Sequence, residues 1–400
     1  MQDQKTDILI AGAGLAGLIA ASAFAHAGYR ILLVDPAPRP TDPTSPGSDL
    51  RSTAFLQPAR NLLDEIGLWD ALAPNAVALN TLRIANSAGT PPNITETRSF
   101  QSDELGAAPF GWNLPNWHSY KILLSHLEKQ PLVTLHFGTG VKALLTRDRE
   151  AIVTLSDQSR IRARLVIGAD GRNSAVRDAL DIAVQTSRYG QKALAFSATH
   201  SLPHDNISTE IYRSGGAFTT VPLPDHQRQP CSAIVWMNDG PTAQSLAALP
   251  LADFNAAMTD RACAILGPMT RVGDLRLWPV VTQTAQALTA QRCALIAEAA
   301  HVLPPIGAQG LNTSLHDIAT LYDLMRQDAG ALGTSRQLDQ YERARHADIQ
   351  NRTKAIDLFN RICKSGGSPI QALRSAGLRA VHDIAPLRRK LMQAGLGPQQ

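Results

Sequence analysis

The sequence predicts an α/β fold: a Rossmann-like dinucleotide-binding domain, interrupted by an inserted antiparallel sheet and followed by a C-terminal helical region. Three observations predict it. A G-x-G-x-x-G run, Gly12-Ala13-Gly14-Leu15-Ala16-Gly17, stands between an apolar strand and an Ala-rich helix. Short apolar runs at 7–11, 31–34, 165–168 and 294–297 read as parallel strands buried on both faces. Between them lie long stretches of alternating polarity, the pattern of antiparallel strands.

In chain order, Asp7–Ala11 is the first strand and Leu15–Ala27 the first helix, ended by Gly28. Ile31–Val34 is the second strand, with Asp35 directly after it, which completes a βαβ unit. Residues 36–49 are rich in Pro, Ser, Thr and Asp and form a loop. Arg51–Leu68 reads as a helix through Leu56, Leu62, Leu63 and Ile66. Residues 80–115 read as short strands and turns, and Ser119–Lys129 as a helix. Leu132–Leu155 alternates in strand fashion with a hairpin near Arg147-Asp148. Leu165–Gly168 leads to Asp170-Gly171. Strands return over 190–237, helices over 246–266 with a break near Pro250. The strand Ala294–Ala297 is followed by Pro304-Pro305, a Gly-rich turn and helices over 315–325 and 336–359. A Gly366–Pro369 break divides the last helical pieces.

Composition narrows the function. The chain has 400 residues, 44% of them apolar, and a formal net charge of +4. Its mean hydropathy is −0.11 and its pI about 8.9. That describes a soluble globular chain whose mild, dispersed charge argues against nucleic acid as a partner. The four cysteines form no C-x-x-C pair and suit neither zinc nor a disulfide framework, so a reducing, cytoplasmic setting is the default. The apolar run Ile8–Ala25 imitates a membrane or export segment, but its glycine spacing and the preceding Asp3 and Asp7 favour a buried strand–turn–helix.

The chemistry of the motifs follows from their geometry. Gly12 makes a tight turn, Gly14 admits a pyrophosphate to the backbone, and Gly17 allows close helix packing. Asp35 stands where a carboxylate accepts from a ribose hydroxyl. Late in the chain, Glu298 follows an apolar strand, and the turn through Gly310, Leu311 and Asn312 opens a helix whose N–H groups suit an anionic group. His301 and His204 read first as packing and turn residues, and Trp112, Trp117 and Trp236 as core or cavity lining.

The run Gly168-Ala169-Asp170-Gly171-Arg172-Asn173-Ser174-Ala175-Val176-Arg177 resembles the DG motif of class A flavoprotein monooxygenases. The 293–318 segment resembles their GD motif, and Arg51-Ser52-Thr53-Ala54 with Gly67-Leu68-Trp69 their flavin-contacting helix. Phe110–Asn116, Tyr189-Gly190-Gln191, Pro203-His204 and Glu298-Ala299-Ala300-His301 with Pro304–Asn312 make the chain similar to the ubiquinone-biosynthesis hydroxylases along nearly its whole length.

The resemblance implies a p-hydroxybenzoate hydroxylase type of fold. Its FAD-binding domain would comprise 1–75, 116–185 and 276–345. The substrate sheet would comprise 76–115 and 186–275, and the C-terminal helices 346–400. It implies FAD held by Gly12, Ala13, Gly14, Leu15, Ala16, Gly17 and Asp35 at the ADP end. Arg51 would reach the pyrophosphate or ribose, and Asn116 and Lys121 match a helix that touches the cofactor in the family. Asp170 is associated with FAD and with transient NAD(P)H, and Glu298 with the ribityl chain or pyrophosphate. Pro305, Gly310, Leu311 and Asn312 would lie beside the isoalloxazine. The family's usual Gly-Asp is Ala297-Glu298 here, its usual Arg after residue 116 is Lys121, and a frequent Arg is His316.

The implied reaction is hydroxylation of the aromatic ring of a polyprenylated phenol or quinol, through NAD(P)H-reduced flavin, O2 and a C4a-hydroperoxide. No catalytic base is identified from the residues. Two other readings share the motifs: a hydroxylase of a small soluble phenol, and a flavin-poor scaffold of a quinone-biosynthesis complex. A tunnel long enough for a prenyl chain separates the first, and absence of flavin the second. The basic tail (Arg361, Lys364, Arg374, Arg379, Arg388, Arg389, Lys390) reads first as a solvated helix face. The alternative is a peripheral contact with the anionic inner face of the membrane or with a partner protein.

Overall fold

The computed structural model describes residues 4–45, 48–106, 108–213, 215–364 and 382–396. The expected break at Gly366–Pro369 and the basic residues Arg374 and Arg379 lie outside the described residues. The first of three sheets is eight-stranded, with a parallel centre. Gln4–Ala11 lies between Arg160–Gly168 on one side and Ile31–Asp35 on the other, both parallel to it. Cys293–Leu295 extends the parallel order beyond Arg160–Gly168. All four runs expected to be parallel are therefore neighbours, because strands sandwiched between helices must be apolar on both faces.

Leu15–His26 is buried from Ala16 to Ala25. An apolar surface all round needs cover all round, and the sheet, the helix Asn116–Leu127 and the helix Gln309–Gln327 supply it. The second sheet is also eight-stranded and antiparallel except for the pairing of Ile207–Arg213 with Thr81–Ala88. Helices Gly240–Ala247 and Leu251–Arg261 cover one face, where Phe196, Phe218, Trp236 and Phe254 pack together. The other face turns toward the Pro304–Asn312 loop. The long helix Ser335–Lys364 runs from the first sheet to the second.

Three elements differ from the sequence expectation. The helix expected from Arg51 begins only at Gln57, with Pro58 in its first turn. Ser52–Leu56 is instead a strand, paired antiparallel with Gly111–Pro115 in a three-stranded sheet. The hairpin expected near Arg147-Asp148 forms, between Val141–Thr146 and Ala151–Leu155, but Val133–Phe137 stands outside it as the edge strand of the first sheet, parallel to Ile31–Asp35. The strand expected over 294–297 ends at Leu295, and Ala297, at φ 55°, begins a short helix.

Candidate active site

The glycine loop has one open position and two closed ones. A Cβ on Gly12 would lie 2.3 Å from the Ala169 carbonyl oxygen, and one on Gly17 would lie 1.9 Å from the Gly12 oxygen. A Cβ on Gly14 would meet no atom within 4 Å. The loop is packed tightly against the rest of the fold and leaves its free space at Gly14. Leu15–His26 starts there with no side-chain cap, so its first N–H groups face that space. Asp35 anchors the loop: its two oxygens accept from Ala13 N at 2.7 Å and Ala37 N at 2.8 Å.

Next to the cradle stands a clamp. Asp49 accepts both Nε and Nη2 of Arg51 at 2.8 Å. Asn116 Nδ2 donates to Asp49 at 2.7 Å, and Thr53 Oγ1 donates to Asn116 Oδ1 at 2.7 Å. Burial opposes the charge on Arg51, yet the Asp49 carboxylate and the charge of Glu298 outweigh it and hold its pKa above the ordinary value. The guanidinium lies 4.9 Å from the Trp278 ring centre, on the second sheet. Asn116 therefore positions Arg51 through Asp49. Lys121, on the same helix, is exposed and lies 5.8 Å from the Trp117 ring centre. Sequence reasoning missed Asp49, which sits inside a polar loop with no periodic signal.

Glu298 is exposed and pairs with Arg172 at 3.5 Å. The buried Arg177 joins their two segments, donating to the Ala299 and Arg172 carbonyls at 3.1 and 3.0 Å. Asp170 accepts from Ser174 Oγ at 2.5 Å and Val176 N at 3.1 Å, and burial raises its pKa. Its carboxyl thus shapes the Asp-Gly turn that packs on Gly12.

The segment from Pro304 to Asn312 is held from both ends. Pro305 and Gly310 are exposed, Leu311 is half-buried, and a Cβ on Gly310 would meet nothing within 4 Å. The helix Gln309–Gln327 also starts without a side-chain cap, from Ala308 at φ 56°. The Asn312 side chain is spent on the fold: it accepts from Leu56 N at 2.9 Å and donates to Ala54 O and Ala308 O at 2.7 Å. Beneath the loop, buried Asp317 receives His301 Nε2 at 2.7 Å, Arg345 Nε at 2.9 Å and Ala297 N at 3.1 Å. Burial pushes the Asp317 pKa up, but His301 and Arg345 prevail and lower it. This network holds the left-handed turn just before Glu298. His301 is its packing histidine, and Asp317 and Arg345 were not visible in the local sequence pattern.

Two uncapped helix starts, an open glycine position and a positioned arginine fit a dinucleotide that carries a phosphate-rich end and a flat ring end. A family model described as "FAD binding domain" matches residues 5–355. Ubiquinone hydroxylase UbiL of Rhodospirillum rubrum is 31% identical over 99% of this chain and 90% of its own length. The chain belongs to this family of FAD-dependent hydroxylases. Another relative of the hydroxylase is the 3-demethoxyubiquinol 3-hydroxylase of Escherichia coli, 27% identical over 99% of this chain and 100% of the relative. Among solved structures, p-nitrophenol 4-monooxygenase PnpA from Pseudomonas putida shares the fold with a TM-score of 0.79, at 16% identity over 100% of both chains. PqsL from Pseudomonas aeruginosa shares it with a TM-score of 0.76, at 19% identity over 91% of this hydroxylase and 98% of that chain. The α/β class, the flavin and the enzymatic reading expected from the sequence all stand.

Proposed function

We propose that this hydroxylase adds an oxygen atom to the aromatic ring of a polyprenylated phenol or quinol in ubiquinone biosynthesis. Kinship with ubiquinone hydroxylases along nearly the full chain carries the reading. When bound, FAD accepts a hydride from NAD(P)H and activates O2 for transfer of one oxygen atom. The protein's own residues bind, orient and exclude water.

Gly12–Gly17 and Asp35 would hold the ADP end, and the open position at Gly14 would leave space for its phosphates. Arg51, fixed by Asp49 and Asn116, offers its charge to the phosphates, and Lys121 adds a second cation at longer range. Asp170 keeps the turn behind the cradle, and Glu298 would hold the ribityl chain. Pro305, Gly310, Leu311 and the Asn312 N–H would border the flavin ring, where the uncapped helix start would stabilise negative charge. The substrate ring lies between this loop and the second sheet. Residues 231, 233, 235 and 237 fall on one face of the strand Gln229–Asp239. There Cys231, Ala233, Val235 and Met237 give a prenyl tail an apolar wall of about 20 Å.

In this reading the FAD-binding domain comprises 1–75, 116–185 and 276–345, the substrate sheet 76–115 and 186–275, and the C-terminal region 346–400, which is helical where described, through Lys364 and over Ala385–Leu396. Among the described residues, no helix is long and apolar enough to cross a membrane. Exposed Leu358 and Ile384, with exposed Arg389 and Lys390, support peripheral contact with an anionic membrane surface or a quinone-biosynthesis partner. Incubation with NADPH, a prenylated phenol and 18O2 tests the reading. It predicts a product heavier by one labelled oxygen on the ring. NADPH consumption with unlabelled phenol recovered intact contradicts it.

A further inference from the structure

Glu210 and Asp317 are the buried acidic side chains among the described residues. Asp317 is matched by Arg345 and His301, and the mechanism above accounts for it. Glu210 forms no ion pair among the described residues. It sits on the strand Ile207–Arg213, on the opposite face from Ile211, which packs under the helices. Its neighbours are Tyr212, whose O–H donates to Oε2, and the N–H of Gly307 in the flavin loop. Beside it, Ile306 packs on Tyr189, Ala193, Met237 and Val280.

A buried carboxyl without a cation is costly, and folding alone gives no return for it. Burial raises its pKa, and the two donors only partly offset that. A carboxylate has about four acceptor positions, so Tyr212 and Gly307 leave room for another donor. The site lies where the flavin loop meets the substrate face.

We infer that Glu210 receives the ring hydroxyl of the aromatic substrate, accepting its hydrogen bond while Tyr212 holds the other carboxylate oxygen. The inference rests on the hydroxylase reading. It assigns Glu210 two effects. The bond orients the ring, so that one carbon faces the flavin. It also pushes electron density from the hydroxyl into the ring, which favours attack on an electrophilic oxygen.

The test follows perturbation of the visible flavin spectrum of the purified holoenzyme during titration with 2-prenylphenol and with its O-methyl ether. The wild-type protein is expected to prefer the phenol by about tenfold or more, the worth of a hydrogen bond to a charged acceptor. E210Q is expected to keep the flavin bands and bind the ether as the wild type does, with a phenol preference reduced to about twofold. Y212F loosens the second oxygen and is expected to fall between. Undiminished phenol preference in E210Q overturns the inference. So does equal loss of both ligands, which marks Glu210 as only a pin for Gly307. Should E210Q fail to fold, unchanged preference in Y212F overturns it. If neither ligand perturbs the wild-type flavin, the hydroxylase reading itself has failed, and the inference with it.

Discussion

Three glycines of one loop are expected to respond to alanine in three different ways. Gly14 has φ −69° and ψ 174°, open to any residue, and a Cβ there meets nothing within 4 Å. G14A should therefore change the stability of the flavin-free protein by no more than about 0.5 kcal/mol. Its methyl group nonetheless fills the space the cradle offers, and flavin affinity should fall about tenfold or more. G17A gains about 1 kcal/mol of helix propensity. Its Cβ, however, would lie 1.9 Å from a backbone oxygen, and overpacking of that kind costs about 3 kcal/mol. The net loss is about 2 kcal/mol. G12A combines a 2.3 Å contact with φ +106°, and the backbone conformation alone adds about 1–2 kcal/mol. Urea unfolding of flavin-stripped protein and flavin retention after gel filtration separate the two effects. Full flavin retention by G14A, or wild-type stability of G17A, would refute the reasoning.

Replacing Arg345 by Met leaves Asp317 buried without the guanidinium it pairs with and should cost about 3–5 kcal/mol in urea unfolding. The double variant R345M/D317N should recover part of that loss, and simple additivity would contradict the pairing. Burial opposes the charges of Asp317 and Asp348, but Arg345 and the neighbouring histidines hold both carboxyls below their ordinary value of 3.8. With folded pKa values depressed, their contribution is full above the ordinary value and is lost progressively as pH falls below it and through the folded values. Urea midpoints should be flat in this respect down to about pH 5 and then decline, less steeply in R345M. N116A removes the contacts that hold Asp49 and Thr53 and should cost about 1–2 kcal/mol. It should also weaken flavin binding measured by fluorescence quenching, and unchanged affinity would detach Asn116 from the Arg51 clamp.

The βαβ unit was legible because its signals are local: three glycines at fixed spacing, strands apolar on both faces, and Asp35 at a strand end. The turn at His204 was legible as well. His204 Nδ1 accepts from Asn206 N, and Asp205 and Asn206 both take positive φ, as short polar side chains tolerate. The strand Ser52–Leu56 was not, because its pairing partner lies more than fifty residues downstream and its apolar spacing merges with that of the following helix. The buried network failed for the same reason. Asp317 looks like an ordinary polar helix position until Arg345, on another helix, is brought to 2.9 Å. Asn312 was placed at the flavin by its motif. Its side chain turns out to stitch the loop to Ala54 and Leu56.

The most direct test is the visible absorption spectrum of the purified protein, recorded before and after NADPH is added in air with and without a prenylated phenol. The account predicts a two-banded oxidised-flavin spectrum that bleaches faster when the phenol is present. A colourless protein that FAD cannot reconstitute would contradict it and favour a scaffold role.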